Sequence, residues 1–187
     1  MLYAAAISAT QVSSDVSSLL ASMVPADLVA NERARMRQRL DNQEDTTSKS
    51  VMKKQERTIS IRAWQSRWDR SSNGRWMHRL LPDVGRWLSR PPIGLTYHLT
   101  QALSGHECYK SYLYDRGRVD DSLCCYCMNP DDTAEHTLFA CPRWEDERAG
   151  MTRILRRVPA PEDVEDILCG PLADTLPDDA ASRSRLI

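Results

Sequence analysis

Apolar residues recur along most of this chain at the three-to-four-residue spacing of helices, and Pro, Gly or polar clusters cut the pattern into short pieces. Val16, Leu19, Leu20 and Met23 predict a first helix over Asp15 to Val24, interrupted by Pro25. A second, from Ala26 to Leu40, places Val29, Met36 and Leu40 on one stripe, with Arg33, Arg35, Arg37 and Arg39 on the other faces. Asp41 to Ser50 has no apolar residue and reads as a linker. Ile61, Trp64 and Trp68 then share a face of a helix near Val51 to Arg70, and the run Ser71 to Gly74 stops it. Brief segments follow at Arg75 to Leu81 and Asp83 to Leu88, cut by Pro82 and by Pro91 with Pro92. Leu95, Leu99 and Leu103 mark a helix closed by Gly105. Another is expected from Glu107 to Arg116, with Tyr109, Tyr112 and Leu113 inward and Gly117 as its cap. Met151 and Leu155 suggest one more, and Pro161 to Cys169 a last, stopped by Gly170. Alternating β-branched runs do not occur, so the predicted class is mainly α, built of short helices.

The pattern divides the chain into four regions: a helical segment at 1–50, a basic Trp-rich region at 51–105, a metal-binding module at 106–145, and a helical, acidic tail at 146–187. Charge makes the division sharper. The net charge of the 187 residues is -1, yet Lys53 to Arg90 carries ten basic residues against Glu56, Asp69 and Asp83, while Pro161 to Ala181 carries seven acidic residues and no basic one. No stretch is apolar for long enough to span a bilayer, so no membrane is expected. The apolar start at Met1 has no basic residue ahead of it, which speaks against a signal peptide. Four of the six cysteines lie between Cys108 and Cys127, a clustering that suits a metal better than a disulfide framework and points to a reducing compartment, cytosol or nucleus.

Cys124, Cys127, His136 and Cys141 form a Cys-x2-Cys-x8-His-x4-Cys array. A two-residue gap lets one tight turn aim both thiolates at a single point, and three thiolates with one imidazole close a tetrahedral shell around Zn²⁺. A closed shell leaves no position for substrate water, so the expected role is structural. Asp132 to Glu135 has the form of a capping box opening the short helix that carries His136. Cys125 reads as a spare thiol, Cys108 and Cys169 as small buried hydrophobes, and His78 and His98 as ordinary surface or core residues. Arginine interleaved with tryptophan gives phosphate contacts beside stacking surfaces, with single strands favoured over a duplex groove. Trp64 and Trp68 are expected in the core; Trp76 and Trp87 are left open. The candidate nucleic-acid contacts are Arg62, Arg67, Arg75, Trp76, Arg79, Lys110, Arg116 and Arg118. The finger segment itself is acidic, with eight acidic residues from Asp120 to Arg148 against Arg143 and Arg148, so zinc is expected to fix a scaffold while these other residues make contact.

The run from His98 to Arg148, with Leu99, Thr100, Leu103, Gly105, His106 and Tyr109 ahead of the CxxC and the stretch Asp132 to Trp144 after it, resembles the C-terminal domain of non-LTR (LINE-like) retrotransposon Pol polyproteins of the arthropod, site-specific type. Trp64, Gln65 and Trp68, Gly74 to Trp76, and Pro25 to Ala34 extend the resemblance over nearly the whole chain. It implies a fragment of a longer reverse transcriptase and endonuclease, with Cys124, Cys127, His136 and Cys141 as zinc ligands. The implied partners are element RNA, target DNA and the rest of the polyprotein, and the implied location is the nucleus after passage through the cytoplasm. A polymerase needs carboxylates for two metal ions, typically in a Tyr-x-Asp-Asp hairpin, and neither that motif nor an endonuclease constellation is present; Asp120 and Asp121 read as a solvated loop. The alternative is a zinc-stabilised helical module that binds protein and no nucleic acid, which the acidic finger and tail favour.

Overall fold

The structure is a computed structural model, and it describes residues 14–42, 45–106 and 108–170. The apolar start at Met1, the residue Glu107 expected to open a helix, and the acidic tail beyond Gly170 lie outside the described residues. These fall into two compact units: those up to His78 together with Pro82–Arg90, and Arg79–Leu81 together with those from Pro91 onward. Among the described residues there is no strand, and the mainly α class holds.

The first unit is organised by the long helix α3 (Lys49–Arg70), which follows α1 (Ser14–Leu20) and α2 (Ala26–Asp41). Its buried residues are Met52, Glu56, Ser60, Trp64 and Trp68, one ridge at four-residue spacing. The tryptophans sit in the core as expected, but between them and Met52 the ridge is polar, at Glu56 and Ser60. Arg35 donates from Nε to Glu56 at 2.6 Å and from Nη2 to Ser60 Oγ at 3.1 Å; Arg39 reaches Glu56 at 3.2 Å, and Arg57 reaches Glu32 at 3.1 Å. The expected apolar stripe on α2 is therefore only partly used. Leu40 is 46% exposed, while Glu32 is buried. A carboxylate that deep is tolerable only because a guanidinium meets it. Hydrogen bonding to Arg35, and then to Arg39, outweighs burial and holds the Glu56 carboxyl below its ordinary value.

The short helices α4 (Arg75–Leu80) and α5 (Val84–Ser89) follow. Asp83 caps α5 by accepting from the Arg86 backbone N–H at 2.9 Å. Trp87 is fully buried, which decides the question the sequence left open, and its indole donates to the Leu19 carbonyl at 2.6 Å. Trp76 is only partly covered. Gly74 has φ +68°, and a Cβ there would run into Val16 Cγ2 and lie 3.3 Å from the Trp68 ring. Gly74→Ala is thus expected to cost roughly 1–2 kcal/mol from the left-handed backbone alone, with the clash in addition. A lower urea midpoint at unchanged slope would register it.

In the second unit, α6 (Tyr97–Ser104) is capped by Thr96, which accepts from the Leu99 N–H at 3.2 Å, and ends on Gly105 at φ 73°. The expected register of Leu99 and Leu103 fits this span. Helix α7 (Lys110–Asp115) begins later than expected, after Tyr109, which is buried. Cys108 is exposed, contrary to its reading as a buried hydrophobe, because it lies ahead of the first turn of α7 and outside its packed face. The chain continues into α8 (Glu145–Leu155) and α9 (Val164–Cys169), the latter entered by a 3-10 turn at Pro161–Asp163. No helix among the described residues is long and apolar enough to cross a membrane.

Candidate metal centre

Cys124, Cys127, His136 and Cys141 converge, their ligand atoms all within 4.8 Å of one another. The sequence explains the convergence in two local pieces. From Cys124 to Met128 the backbone makes a tight turn: Met128 N–H donates to the Cys124 carbonyl at 2.9 Å, with Met128 itself at φ 60°. From His136 to Ala140 it forms a π-turn, closed by Cys141 N–H donating to the His136 carbonyl at 2.7 Å. The wider π-turn, five residues per bond, fits the x4 gap between His136 and Cys141 and returns the cysteine to the histidine's side.

Distances test the fit. Cys124 Sγ lies 3.8 Å from Cys141 Sγ, Cys141 Sγ 3.9 Å from Cys127 Sγ, and Cys127 Sγ 3.2 Å from His136 Nε2. A tetrahedron with the bond lengths usual for zinc needs about 3.8 Å between sulfurs and about 3.6 Å between sulfur and nitrogen. Disulfides would need sulfurs about 2 Å apart, and these cysteines are free. The donor set can hold a metal ion and is compatible with a zinc-finger module. Burial works against ionising Cys124, but hydrogen bonds from the Tyr126 and Cys127 backbone N–H groups and from the Cys127 and Cys141 thiols together hold that thiol below its ordinary value. Burial dominates at Cys141 and pushes its thiol up.

The supporting shell differs from the capping box expected on Asp132. Thr133 does the capping, its Oγ1 accepting from the His136 N–H at 3.1 Å. Asp132 instead accepts from the Thr137 hydroxyl at 2.8 Å and from the Lys110 N–H at 3.2 Å, tying the metal segment to the start of α7. Glu135, the expected reciprocal partner, pairs with Arg79 at 2.7 Å. Arg148 Nη2 donates to the Cys141 carbonyl at 2.7 Å. Lys110 and Arg79 lie 22 and 56 residues from their partners in this shell, so spacing alone could not give those two ties.

The eight candidate nucleic-acid contacts divide equally between the two units. In the first, Arg62 is exposed on α3; Arg67 pairs with Asp15 at 2.6 Å and Asp27 at 2.8 Å; Arg75 donates to the Asp69 and Ser71 carbonyls; Trp76 is half-buried. In the second, Arg79 bridges Glu135 and Glu162, Lys110 pairs with Asp121 at 2.5 Å, Arg116 lies over the Tyr112 ring at 5.2 Å, and Arg118 is exposed. Arg79 holds the Glu162 carboxyl below the usual range, so that tie is present at neutral pH and weakens as acid protonates Glu162. Sequence reasoning missed a further group beside the metal ligands. Tyr126 and Trp144 meet edge to face, with centroids 5.7 Å apart, and Arg143 lies over both rings. The signals were present, an aromatic inside the CxxC and an Arg-Trp pair just after the last ligand.

A helical protein with a three-thiol, one-imidazole cluster is the class that fold and site define. Within it, the chain resembles non-LTR retrotransposon Pol polyproteins: over 89 residues, 47% of its length, it is 35% identical to a 115 kDa protein in the type-1 retrotransposable element R1DM of Drosophila melanogaster. It is 34% identical over 98 residues, 50% of its length, to a retrovirus-related Pol polyprotein from type-1 element R1 of Bradysia coprophila, and 29% identical over 115 residues, 58% of its length, to one from element R1 3 of Nasonia vitripennis. It spans 9%, 9% and 28% of these relatives. The similarity they carry covers about half of the chain, less than the near-complete extent read from the motifs. No family model matches the chain, and no solved structure matches it.

Proposed function

We propose that this chain is a zinc-dependent nucleic-acid-binding region of a longer non-LTR retrotransposon polyprotein, acting in the nucleus to assist target-primed reverse transcription. The similarity to R1-type Pol polyproteins carries the reading, and the Cys3His cluster supports it. Polymerase and endonuclease chemistry would belong to the remainder of that polyprotein, and element RNA or target DNA would be the ligand. Zinc would be held by Cys124, Cys127, His136 and Cys141, where it supplies a fixed four-way cross-link. Around it, Thr133, Asp132 and Arg148 orient the ligand segments; the exposed Arg62 in the first unit and Arg118 in the second would meet phosphates. Arg79 and Lys110 can join them by exchanging exposed carboxylate partners, since such pairs are worth only about 0–1 kcal/mol each, whereas Arg67 is held by the largely covered Asp15.

Those same pairs favour a second reading, a zinc-stabilised protein-interaction module without nucleic-acid binding, because three of the expected phosphate contacts already have carboxylates. Zinc content by native mass spectrometry, followed by single-stranded RNA binding across a salt series, separates the two. The first reading expects one zinc per chain and an affinity falling steeply with salt. Arg62→Gln and Arg118→Gln should each flatten the log–log salt slope by about 0.7, the value per phosphate contact on a single strand. One zinc with no salt-dependent binding would select the second reading, and no zinc would remove both.

A further inference from the structure

The metal-ligand turn carries an exposed aromatic surface that the scaffold role does not use. Tyr126 stands between Cys124 and Cys127 and is 58% exposed. Its backbone is held by the turn, since its N–H reaches the Cys124 sulfur. Trp144, three residues past Cys141, meets the Tyr126 ring edge to face at an interplanar angle of 75°. Both aromatics are therefore anchored within three residues of a ligand, and an exposed ring held this way loses little freedom when something stacks on it.

Charge identifies the occupant. The segment from Asp120 to Arg148 is strongly acidic, and Arg79, Lys110 and Arg157 of this unit are neutralised, by Glu135 and Glu162, by Asp121 and by Asp163. Of the segment's own two arginines, Arg148 is taken up by the Cys141 carbonyl, whereas Arg143 lies against the aromatic rings. Among the described residues no carboxylate pairs with it, and its guanidinium lies 4.9 Å from the Trp144 centroid and 5.8 Å from that of Tyr126. A guanidinium held beside an exposed ring by cation–π attraction keeps its N–H donors available. An exposed ring with a guanidinium 5.8 Å from its centroid matches a base and its phosphate. A duplex hides its base faces, so only an unpaired base can use it.

We propose that Tyr126, Arg143 and Trp144 form a seat for one unpaired base of a single-stranded nucleic acid, with the base stacked on Tyr126 and its phosphate met by Arg143. The inference rests on the nucleic-acid reading above and assigns it a contact that the basic residues of that reading do not include. An acidic surround limits the seat to one nucleotide, and it tolerates any base because every base has a π-face.

The test uses the full 187-residue chain loaded with zinc and a single-stranded RNA oligonucleotide carrying 2-aminopurine, whose fluorescence is quenched by stacking. The wild-type protein should quench it on binding. Tyr126→Leu should weaken binding about tenfold and abolish the quenching, Tyr126→Phe should retain both, and Arg143→Gln should weaken binding while sparing the quenching. Unchanged zinc content in each variant reports an intact module. Wild-type binding that Tyr126→Leu leaves unaltered would overturn the seat while leaving the nucleic-acid reading in place. Absence of single-strand binding by the wild type would overturn both.

Discussion

Cys127→Ser is expected to abolish stoichiometric metal binding and to unfold the segment from Cys124 to Trp144. That segment buries few apolar side chains, chiefly Ala134 and the ligands themselves, so little besides the cluster opposes its conformational entropy. For a structural site of this kind the binding free energy is folding free energy, and about 10–16 kcal/mol is typical of zinc-finger peptides at neutral pH. A hydroxyl in place of a thiolate leaves three donors and breaks the closed shell. Chelation of the wild-type chain should reproduce the effect. So should acidification, because the ligands bind only when deprotonated and protons displace the metal as pH falls. Circular dichroism with metal analysis reads all three. A Cys127→Ser chain that kept its metal and its helices would show that the cluster is not what holds this segment. Cys125→Ser is the control, since Cys125 is exposed and lies outside the ligand set; it should leave metal content unchanged.

Trp87→Ala should remove roughly 3–5 kcal/mol from the first unit, the usual cost of emptying a large buried aromatic site. Two further losses accompany the cavity. The Leu19 carbonyl, which accepts the indole N–H at 2.6 Å, is left in the core without that donor. The Arg90 guanidinium, 3.4 Å above the ring centroid, loses the surface it rests on. Against a typical domain stability of about 5–15 kcal/mol, the change would consume much of the margin. Trp87→Phe fills part of the cavity and lacks only the donor, so it should fall in between. Urea denaturation followed by helix signal ranks the three proteins, and equal midpoints would mean that α5 contributes nothing to the core.

Local features of this chain were legible and distant ones were not. Helix breaks follow from Pro25, Gly74, Pro82 and Gly105, each of which acts on its own backbone. The four candidate metal ligands lie within eighteen residues, close enough for turn geometry alone to bring them together. Trp64 and Trp68 share a helix face with Ile61, so their burial follows from periodicity. What failed had its cause elsewhere in the chain. Leu40 stays exposed because Glu32, Arg35 and Arg39 bind α3 instead, and their partners Glu56 and Arg57 are some twenty residues away. The ion pairs of Arg79 were invisible in the sequence because its carboxylates, Glu135 and Glu162, are 56 and 83 residues distant. The π-turn escaped because the same residues fit an ordinary helix in hydropathy, and only the demand that Cys141 face His136 widens it.

The polar middle of the α3 ridge has a consequence for how α2 finds its partner. Two helices joined by apolar ridges alone can slide by one turn and meet nearly equivalent grooves. Here a one-turn slip would cost Glu56 one of its two arginines and carry Glu32 away from Arg57, stranding a buried carboxylate without its guanidinium. The pairing therefore behaves like a keyed joint. It gives up some hydrophobic attraction to exclude every alignment but one, and a lineage carrying it would change these charges only in matched sets.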